Sequence, residues 1–218
     1  MTEVQKGPLG QRRGRGARER ILNAAQRLFR EQGINNTGMN QLCEVAQVSK
    51  HTAYQHFAGK DELIAAYLRW LDSDAMLDSV FGRTDLTPRE RLLAVFERPL
   101  ALEHGQTATE PTPGGAGSTP IDDNTCPFIN AAIEITDPEH PARAIARDYK
   151  RDVAARLTET ARQAGATDPE LLGEQLALLL DGASARTRTL STDALPTAVG
   201  IAATLIEHAI PETTSARP

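Results

Sequence analysis

Apolar residues recur every three or four positions along most of this chain, which is the spacing of an amphipathic α-helix. Ile21, Ala25, Leu28 and Phe29 form the first such stripe. Aromatic residues make up only 4% of the chain, whereas Ala and Leu, which favour helix over sheet, are plentiful. The pattern predicts an all-α protein, and no segment of it repeats.

Turn-forming and capping residues divide this apolar pattern into separate helices. Gly33 is expected to end the first helix, Thr37 to cap the second and Ser49 to cap the third. Thr87 to Glu90 matches a capping box with Pro at the first helical position. Helices are predicted over residues 17–32, from 37, over 50–57, from 60 to near 80, from 87 towards 102, over 128–135, over 141–165, from 168, and over 195–210.

Residues 40–60 are typical of two short helices joined by a tight turn at residues 47–49. On the second of these, Ala53 and Phe57 are four residues apart and are expected to face the core. The outward positions are then Lys50, His51, Tyr54 and Gln55. This face has no carboxylate to repel phosphate, while Lys can bond guanine and Gln can bond adenine. The pattern predicts a helix that contacts DNA.

Charge is distributed unevenly along the chain. The net charge is −5 overall, but residues 1–60 carry +6 and the remainder carries −11. A basic end on an acidic protein suggests that this end faces a polyanion. Residues 1–16 are predicted to be a disordered basic arm, either a solubilising tail or a contact to phosphates and the minor groove. Residues 105–125, rich in Gly, Pro, Thr and Ser, are predicted to be a flexible loop.

The run from Arg18 to Leu68 resembles the N-terminal domain of TetR-family transcriptional regulators. The resemblance is carried by ILNAAQRLFREQG, Val48-Ser49-Lys50 and Lys60-Asp61-Glu62-Leu63. It implies a three-helix helix-turn-helix DNA-binding domain over residues 17–60 and a helical ligand-binding and dimerisation domain over residues 61–218. It also implies a homodimer with two heads spaced for successive major grooves of double-stranded operator DNA. The positions matching the family's DNA contacts are Thr37, Asn40, Gln41, Ser49, Lys50, His51, Thr52, Tyr54, His56 and Lys60.

The resemblance also divides those contacts by role. Residues matching Tyr54, His56 and Lys60 mostly hold phosphate in the family, and those matching Lys50, His51 and Thr52 approach bases. The chain departs from the family at Gln47, where Gly is usual in the bend between the two short helices. A positive φ there would strain a side chain other than Gly.

The C-terminal part is predicted to supply dimerisation and ligand binding. The last two helices have wide stripes of Ala and Leu, which suit a two-fold interface, with an ordinary core as the alternative. A small-molecule effector of unknown identity is expected among the helices between residues 61 and 162. Its candidate contacts, each of which is also explained by plain core packing, are Tyr67, Trp70, Phe96, Phe128, Asn130, Glu134 and Tyr149.

Few signals point to other classes of function. The chain has no HExxH, no CxxC and no Gly-rich phosphate loop, so no metal, cofactor or catalytic site is predicted. Cys126 is either an oxidation sensor or an ordinary thiol. Apolar runs such as residues 176–180 are far too short for a membrane span, so a cytoplasmic location is expected. The leading hypothesis is a ligand-released repressor; an activator, a ligand-independent regulator and an enzyme of the helical body are the alternatives.

Overall fold

A computed structural model of the chain describes residues 9–72, 74–97 and 126–211. Every regular element within these ranges is an α-helix, as the sequence pattern predicted. None of these helices has both the length and the apolar character needed to cross a bilayer. The helices are α1 (Leu9–Gln32), α2 (Met39–Val45), α3 (Lys50–His56), α4 (Lys60–Leu71), α5 (Asp74–Phe81), α6 (Pro88–Glu97), α7 (Pro127–Glu134), α8 (Pro141–Gln163), α9 (Pro169–Leu190) and α10 (Leu195–Ala209).

Local side-chain hydrogen bonds start several of these helices. Ser49 Oγ accepts the backbone N–H three residues later at 3.0 Å and so caps α3 as predicted. At α6, the Thr87 N–H donates to Glu90 Oε2 at 2.8 Å, and the Glu90 N–H donates to Thr87 Oγ1 at 3.3 Å. This reciprocal pair is the predicted capping box, and it satisfies two N–H groups that the helix itself leaves open.

Two predicted boundaries in the N-terminal part are wrong. The first helix begins at Leu9, so residues 9–16, which were expected to be disordered, are helical. The Leu, Gln and Arg residues there favour helix strongly enough to outweigh three glycines. Thr37 does not cap α2, because Gly38 is its N-cap and makes no side-chain bond. Residues 1–8 lie outside the described residues.

The fourth helix is shorter than predicted. It ends at Leu71, where Asp72 leaves the helical region with φ −80° and ψ 47°. The apolar pattern that continues towards residue 80 belongs to the separate helix α5. The predicted loop at residues 105–125 and the predicted extension of α6 towards residue 102 lie outside the described residues.

The head, residues 9–60, has a small core of its own. Helices α1, α2 and α3 pack around buried Ile21, Leu28, Leu42, Ala53 and Phe57. Ala53 and Phe57 therefore face inward, as their spacing predicted. With one face of α3 held in this way, its opposite face is left to solvent.

The body, residues 61–211, is built around α8. Helices α4, α6, α7 and α9 pack against α8, and α10 packs on α9 and α6. The stripe of Tyr149, Val153 and Leu157 on α8 is buried, as its spacing predicted. Helix α4 contacts both α1 and α8 and thereby joins the head to the body.

Candidate DNA-binding face

Helix α3 presents a polar face to solvent. Lys50, His51, Tyr54 and Gln55 are all exposed, and Tyr54 is 52% exposed, while Ala53 is fully buried. Gln55 Nε2 lies 3.1 Å from His51 Nε2, so the two side chains are paired one turn apart. Gln55 was not among the predicted DNA contacts, although its place on the outer face of α3 could have identified it. The geometry leaves this face available to the edges of bases in a groove.

Of the three remaining predicted contacts at α3, one is exposed and two are partly covered. Ser49 is exposed, and its hydroxyl lies 2.8 Å from Thr52 Oγ1 while it caps the helix. Thr52 and His56 are half-buried, and the His56 ring lies 6.4 Å from the ring of Phe57. These side chains border the exposed face of α3 rather than forming its centre.

The start of α4 adds a basic group beside the α1–α2 turn. Lys60 Nζ donates to the Asn35 carbonyl at 3.4 Å. Gly59 caps α4 without a side-chain bond, so the first turn of this 12-residue helix keeps open N–H groups. Of its two acids, Glu62 accepts the Ala58 N–H at 2.5 Å and Asp61 faces His140. A lysine beside an uncapped helix start suits a phosphate of the DNA backbone.

The predicted contacts near α2 divide into exposed and buried residues. Asn40 is exposed. Gln41 is half-buried, and its Oε1 accepts from Gln32 Nε2 at 2.7 Å. Thr37 is only 1% exposed, and its hydroxyl donates to the Gly33 carbonyl at 2.7 Å. The buried Thr37 side chain therefore holds the turn between α1 and α2, and its contact with DNA stays a prediction.

The bend between α2 and α3 contains a left-handed residue. Gln47 has φ 52°, so the condition for strain at this departure from the family's usual Gly is met. A residue with a Cβ is strained there, because the Cβ approaches the following carbonyl oxygen. The bend is therefore built at some cost in stability.

We expect Gln47→Gly to stabilise the protein by about 0.5–1 kcal/mol, since relief of the left-handed strain outweighs the extra chain entropy of Gly. Urea unfolding at fixed protein concentration measures the change. Gln26→Gly, within α1, is the matched control and should destabilise by about 1 kcal/mol. A Gln47→Gly protein less stable than the wild type would contradict the strain at this bend.

Five candidate ligand contacts belong to the hydrophobic core of the body or pack against it, and together they form the aromatic cluster: Tyr67, Trp70, Phe96, Phe128 and Tyr149. Phe128 is fully buried, and its ring stacks on Tyr149 with centroids 3.7 Å apart and planes 6° apart. Tyr67 is also buried and meets Phe29 edge-on at 5.3 Å. The Tyr67 hydroxyl has no hydrogen-bond partner among the described residues. Trp70 is half-buried, 6.5 Å from the Tyr67 ring. Phe96 on α6 is buried.

Ionisation within this cluster follows from burial and from one charged pair. Burial raises the pKa of Tyr67 well above its ordinary value, and burial and then the neighbouring Cys126 do the same for Tyr149. Burial alone would lower the pKa of Lys150, but Cys126 and the ion-paired Asp181 outweigh it and raise that pKa. Both tyrosines are therefore neutral and Lys150 is charged at neutral pH.

The last two candidate ligand contacts lie further along α7. Asn130 is half-buried. Glu134, at the end of α7, contacts the head instead of the aromatic cluster: its Oε2 accepts the Asn35 N–H at 3.0 Å. Sequence reasoning missed this role because the two residues are 99 positions apart.

An apolar groove of about 440 Å³ lies between α9 and α10. Leu178 and Ile201 on its walls are 72% and 46% exposed, which is unusual for large aliphatic side chains in a single protomer. Gly182 and Ala183, which have little or no side chain, also line the groove. The side chains that line it include Leu178, Leu179, Ala183, Ala198, Ile201 and Leu205. This surface coincides with the predicted dimer interface.

The same arrangement is found in known proteins. The family model described as bacterial regulatory proteins, tetR family, matches residues 21–67, which contain the end of α1, α2, α3 and the start of α4. The solved structure of the TetR-type protein sav143 from Streptomyces avermitilis is 36% identical and has a TM-score of 0.69, and the likeness covers 88% of this chain and 97% of that one. This chain therefore belongs to the TetR family of transcriptional regulators.

Two further relatives share this likeness. SCO4454, a TetR-family transcriptional regulator from Streptomyces coelicolor, is 25% identical with a TM-score of 0.68, covering 90% of this chain and 97% of that one. The transcriptional regulator UidR of Escherichia coli K12 is 33% identical over 87 residues. That match takes in 40% of this chain and 36% of UidR, so the chain spans little more than a third of the length of this curated relative.

Proposed function

We propose that this protein is a homodimeric transcriptional repressor that binds operator DNA through α3 and is released by a small ligand bound in the body. The observation that carries the proposal is the outer face of α3, where Lys50, His51, Tyr54 and Gln55 are exposed and no carboxylate is present. A solvated helix face usually mixes acids and bases, whereas a face for DNA excludes acids because phosphate repels them.

Within this face, different residues have different tasks. Lys50 begins the outer face of α3 and is suited to guanine O6 and N7, so it carries base recognition. Tyr54 on α3 and Lys60 at the open start of α4 are suited to phosphate, so they carry affinity without sequence preference. Membership of a family that binds operator DNA supports both assignments.

The apolar groove between α9 and α10 supports the homodimer. Two copies of this surface related by a two-fold axis would bury Leu178 and Ile201 against each other's chain. Dimerisation fixes the distance between the two α3 helices, and a helix-turn-helix dimer needs that distance to match successive major grooves on one side of the duplex.

The buried aromatic cluster supports a ligand site in the body. The buried Tyr67 hydroxyl has no partner within the part of the chain that the structure describes, so a ligand that offers it a hydrogen-bond acceptor would gain more there than in water. Binding that favours a different spacing of the two heads would lower DNA affinity. A coupling of about 1–3 kcal/mol, or about 5–150-fold, is typical of such regulation.

The test begins with selection of bound fragments from genomic DNA, which gives a sequence to measure. On that fragment, we expect Lys50→Ala to cost about 1–3 kcal/mol and to reduce the preference for the selected over a scrambled sequence. Lys60→Ala should weaken both sequences alike and reduce the slope of affinity against salt by about one. If Lys50→Ala leaves the ratio of the two affinities unchanged, its assignment to base reading is wrong.

A further inference from the structure

One side chain of the body contacts the turn between α1 and α2 of the head. Glu134 is the last residue of α7, and its Oε2 accepts the Asn35 backbone N–H at 3.0 Å. In return, Asn35 Nδ2 donates to the Glu134 carbonyl at 2.9 Å. Two bonds of opposite direction between the same two residues fix both the separation and the orientation of the two segments.

Gly33 makes room for this contact. A Cβ added at Gly33 would lie 2.9 Å and 3.2 Å from the two carboxylate oxygens of Glu134. Gly33 also has φ 88°, which a side chain would strain. The turn of the head is therefore shaped to accept the Glu134 carboxylate at close range.

The contact continues to the proposed DNA-binding face. The Asn35 carbonyl accepts the bond from Lys60 Nζ at 3.4 Å, and Lys60 is a proposed phosphate contact. The Gly33 carbonyl, two residues earlier, accepts the hydroxyl of buried Thr37, which precedes α2. Glu134 therefore binds Asn35, the residue whose carbonyl accepts from Lys60, in the turn that precedes α2.

A second polar contact, between the α7–α8 loop and the start of α4, lies nearby. His140 Nε2 is 3.4 Å from Asp61 Oδ1 at the start of α4. His140 Nδ1 accepts the Ala142 N–H at 3.1 Å, so the other ring nitrogen is the one that faces Asp61. The end of α7 therefore binds Asn35, which accepts from Lys60, and the following loop contacts Asp61, the residue after Lys60.

The opposite end of α7 lies in the aromatic cluster. This helix has eight residues and spans about 12 Å at 1.5 Å per residue. Phe128 near its start stacks on Tyr149, and Glu134 at its end binds Asn35. A shift of α7 at the cluster is therefore transmitted to the head by a short rigid element.

The two carboxylate oxygens of Glu134 differ in their hydrogen bonding. Its Oε1 is buried and has no hydrogen-bond partner among the described residues. A buried oxygen without a partner is unfavourable relative to water. The contact is therefore held by Oε2 and the backbone carbonyl of Glu134.

We propose that Glu134 is a positioning residue for DNA binding: it holds the α1–α2 turn, and with it Lys60, in the position that binds the phosphate backbone. The proposal rests on the proposed function, because it assigns Glu134 a task within DNA binding. It also identifies α7 as the element through which the body regulates the head.

Loss of positioning and loss of negative charge are expected to change DNA affinity in opposite directions. Removing a carboxylate near a DNA-binding face should strengthen binding if only electrostatics changes. We expect Glu134→Ala to do the opposite and weaken binding to the selected genomic fragment about tenfold, the scale of typical coupling between sites. Glu134→Gln keeps an oxygen for the Asn35 N–H and should bind within about threefold of the wild type, since that hydrogen bond is retained. Glu139→Ala, an exposed acid in the same α7–α8 segment, is the charge control and should bind as tightly as the wild type or more tightly.

Two further measurements separate positioning from general stability. Hydrogen exchange at the Asn35 amide should accelerate in Glu134→Ala and stay protected in Glu134→Gln. Combining Glu134→Ala with Lys60→Ala should cost less than the sum of the two changes, because Glu134 acts through the group that holds Lys60. Circular dichroism and sedimentation confirm that each variant is folded and in the same oligomeric state.

Contrary outcomes are equally clear. The proposal is overturned if Glu134→Ala binds DNA as well as Glu139→Ala while its Asn35 amide exchanges faster, or if Glu134→Gln is as weak as Glu134→Ala. It is also overturned if Glu134→Ala and Lys60→Ala add fully. A wild-type protein that selects no DNA would instead remove the proposed function itself, and the exchange measurement on Asn35 would then report the contact alone.

Discussion

Leu178→Glu is expected to convert the protein to a monomer and to weaken DNA binding by about 100-fold or more, because one head alone loses the gain from joining two. Leu178 is 72% exposed in the protomer and lies on the groove between α9 and α10. A carboxylate there would have to be buried without a partner if a second copy covers the groove, and that desolvation costs several kcal/mol. Sedimentation velocity at several protein concentrations, followed by DNA titration, measures both effects.

Leu171→Glu is the matched control for this change. Leu171 is 54% exposed on the same helix, but it does not line the groove. We expect this variant to stay dimeric and to bind DNA as the wild type does. A Leu178→Glu protein that remains a dimer and binds DNA normally would show that the groove is a free surface and that the two copies meet elsewhere.

Gly173→Ala is expected to destabilise the body by about 3 kcal/mol, at the upper end of what overpacking usually costs. A Cβ at Gly173 would overlap Thr158 Oγ1 and lie 2.7 Å and 2.8 Å from the Thr158 Cα and N. Because two of these three atoms belong to the backbone of α8, a change of side-chain rotamer does not relieve the contact. Helices α8 and α9 must therefore separate, and the midpoint of urea unfolding at fixed concentration should fall.

Two companion variants define the cause of this loss. Gly200→Ala, in α10, has nothing within 4 Å of its new Cβ and should stabilise by about 0.5–1 kcal/mol through helix propensity. Thr158→Ala combined with Gly173→Ala should recover only part of the loss, since the contacts with the backbone remain. If Gly173→Ala is as stable as the wild type, α8 and α9 do not approach as closely as the structure has them.

Signals that act over three or four residues were the ones that sequence reasoning interpreted well. Ser49 caps α3 and the Thr87–Glu90 pair starts α6, because both bonds depend only on nearby residues. The outer face of α3 could be predicted for the same reason, since burial of Ala53 and Phe57 decides which residues point outward. At Gln47, the family's usual Gly raised a positive φ only as a condition for strain, and the structure meets that condition.

Errors arose where weak local preferences compete or where distant segments meet. Glycines among the first 16 residues suggested disorder, yet α1 begins at Leu9. Thr37 has a typical capping side chain, but its hydroxyl donates a hydrogen bond to the Gly33 carbonyl in a buried turn. The ligand contact of Glu134 stays a prediction, but its bond to Asn35 was missed, because that bond depends on how α7 is placed against the head, which no local pattern records.

The DNA-binding face is most directly tested by methylation protection of guanine N7 on the selected genomic fragment. This atom lies in the major groove, where α3 is proposed to bind. The account predicts two clusters of protected guanines about 10 base pairs apart, related by two-fold symmetry, with two protein chains bound per fragment. A fragment bound without any protected guanine, or by a single chain, would contradict it.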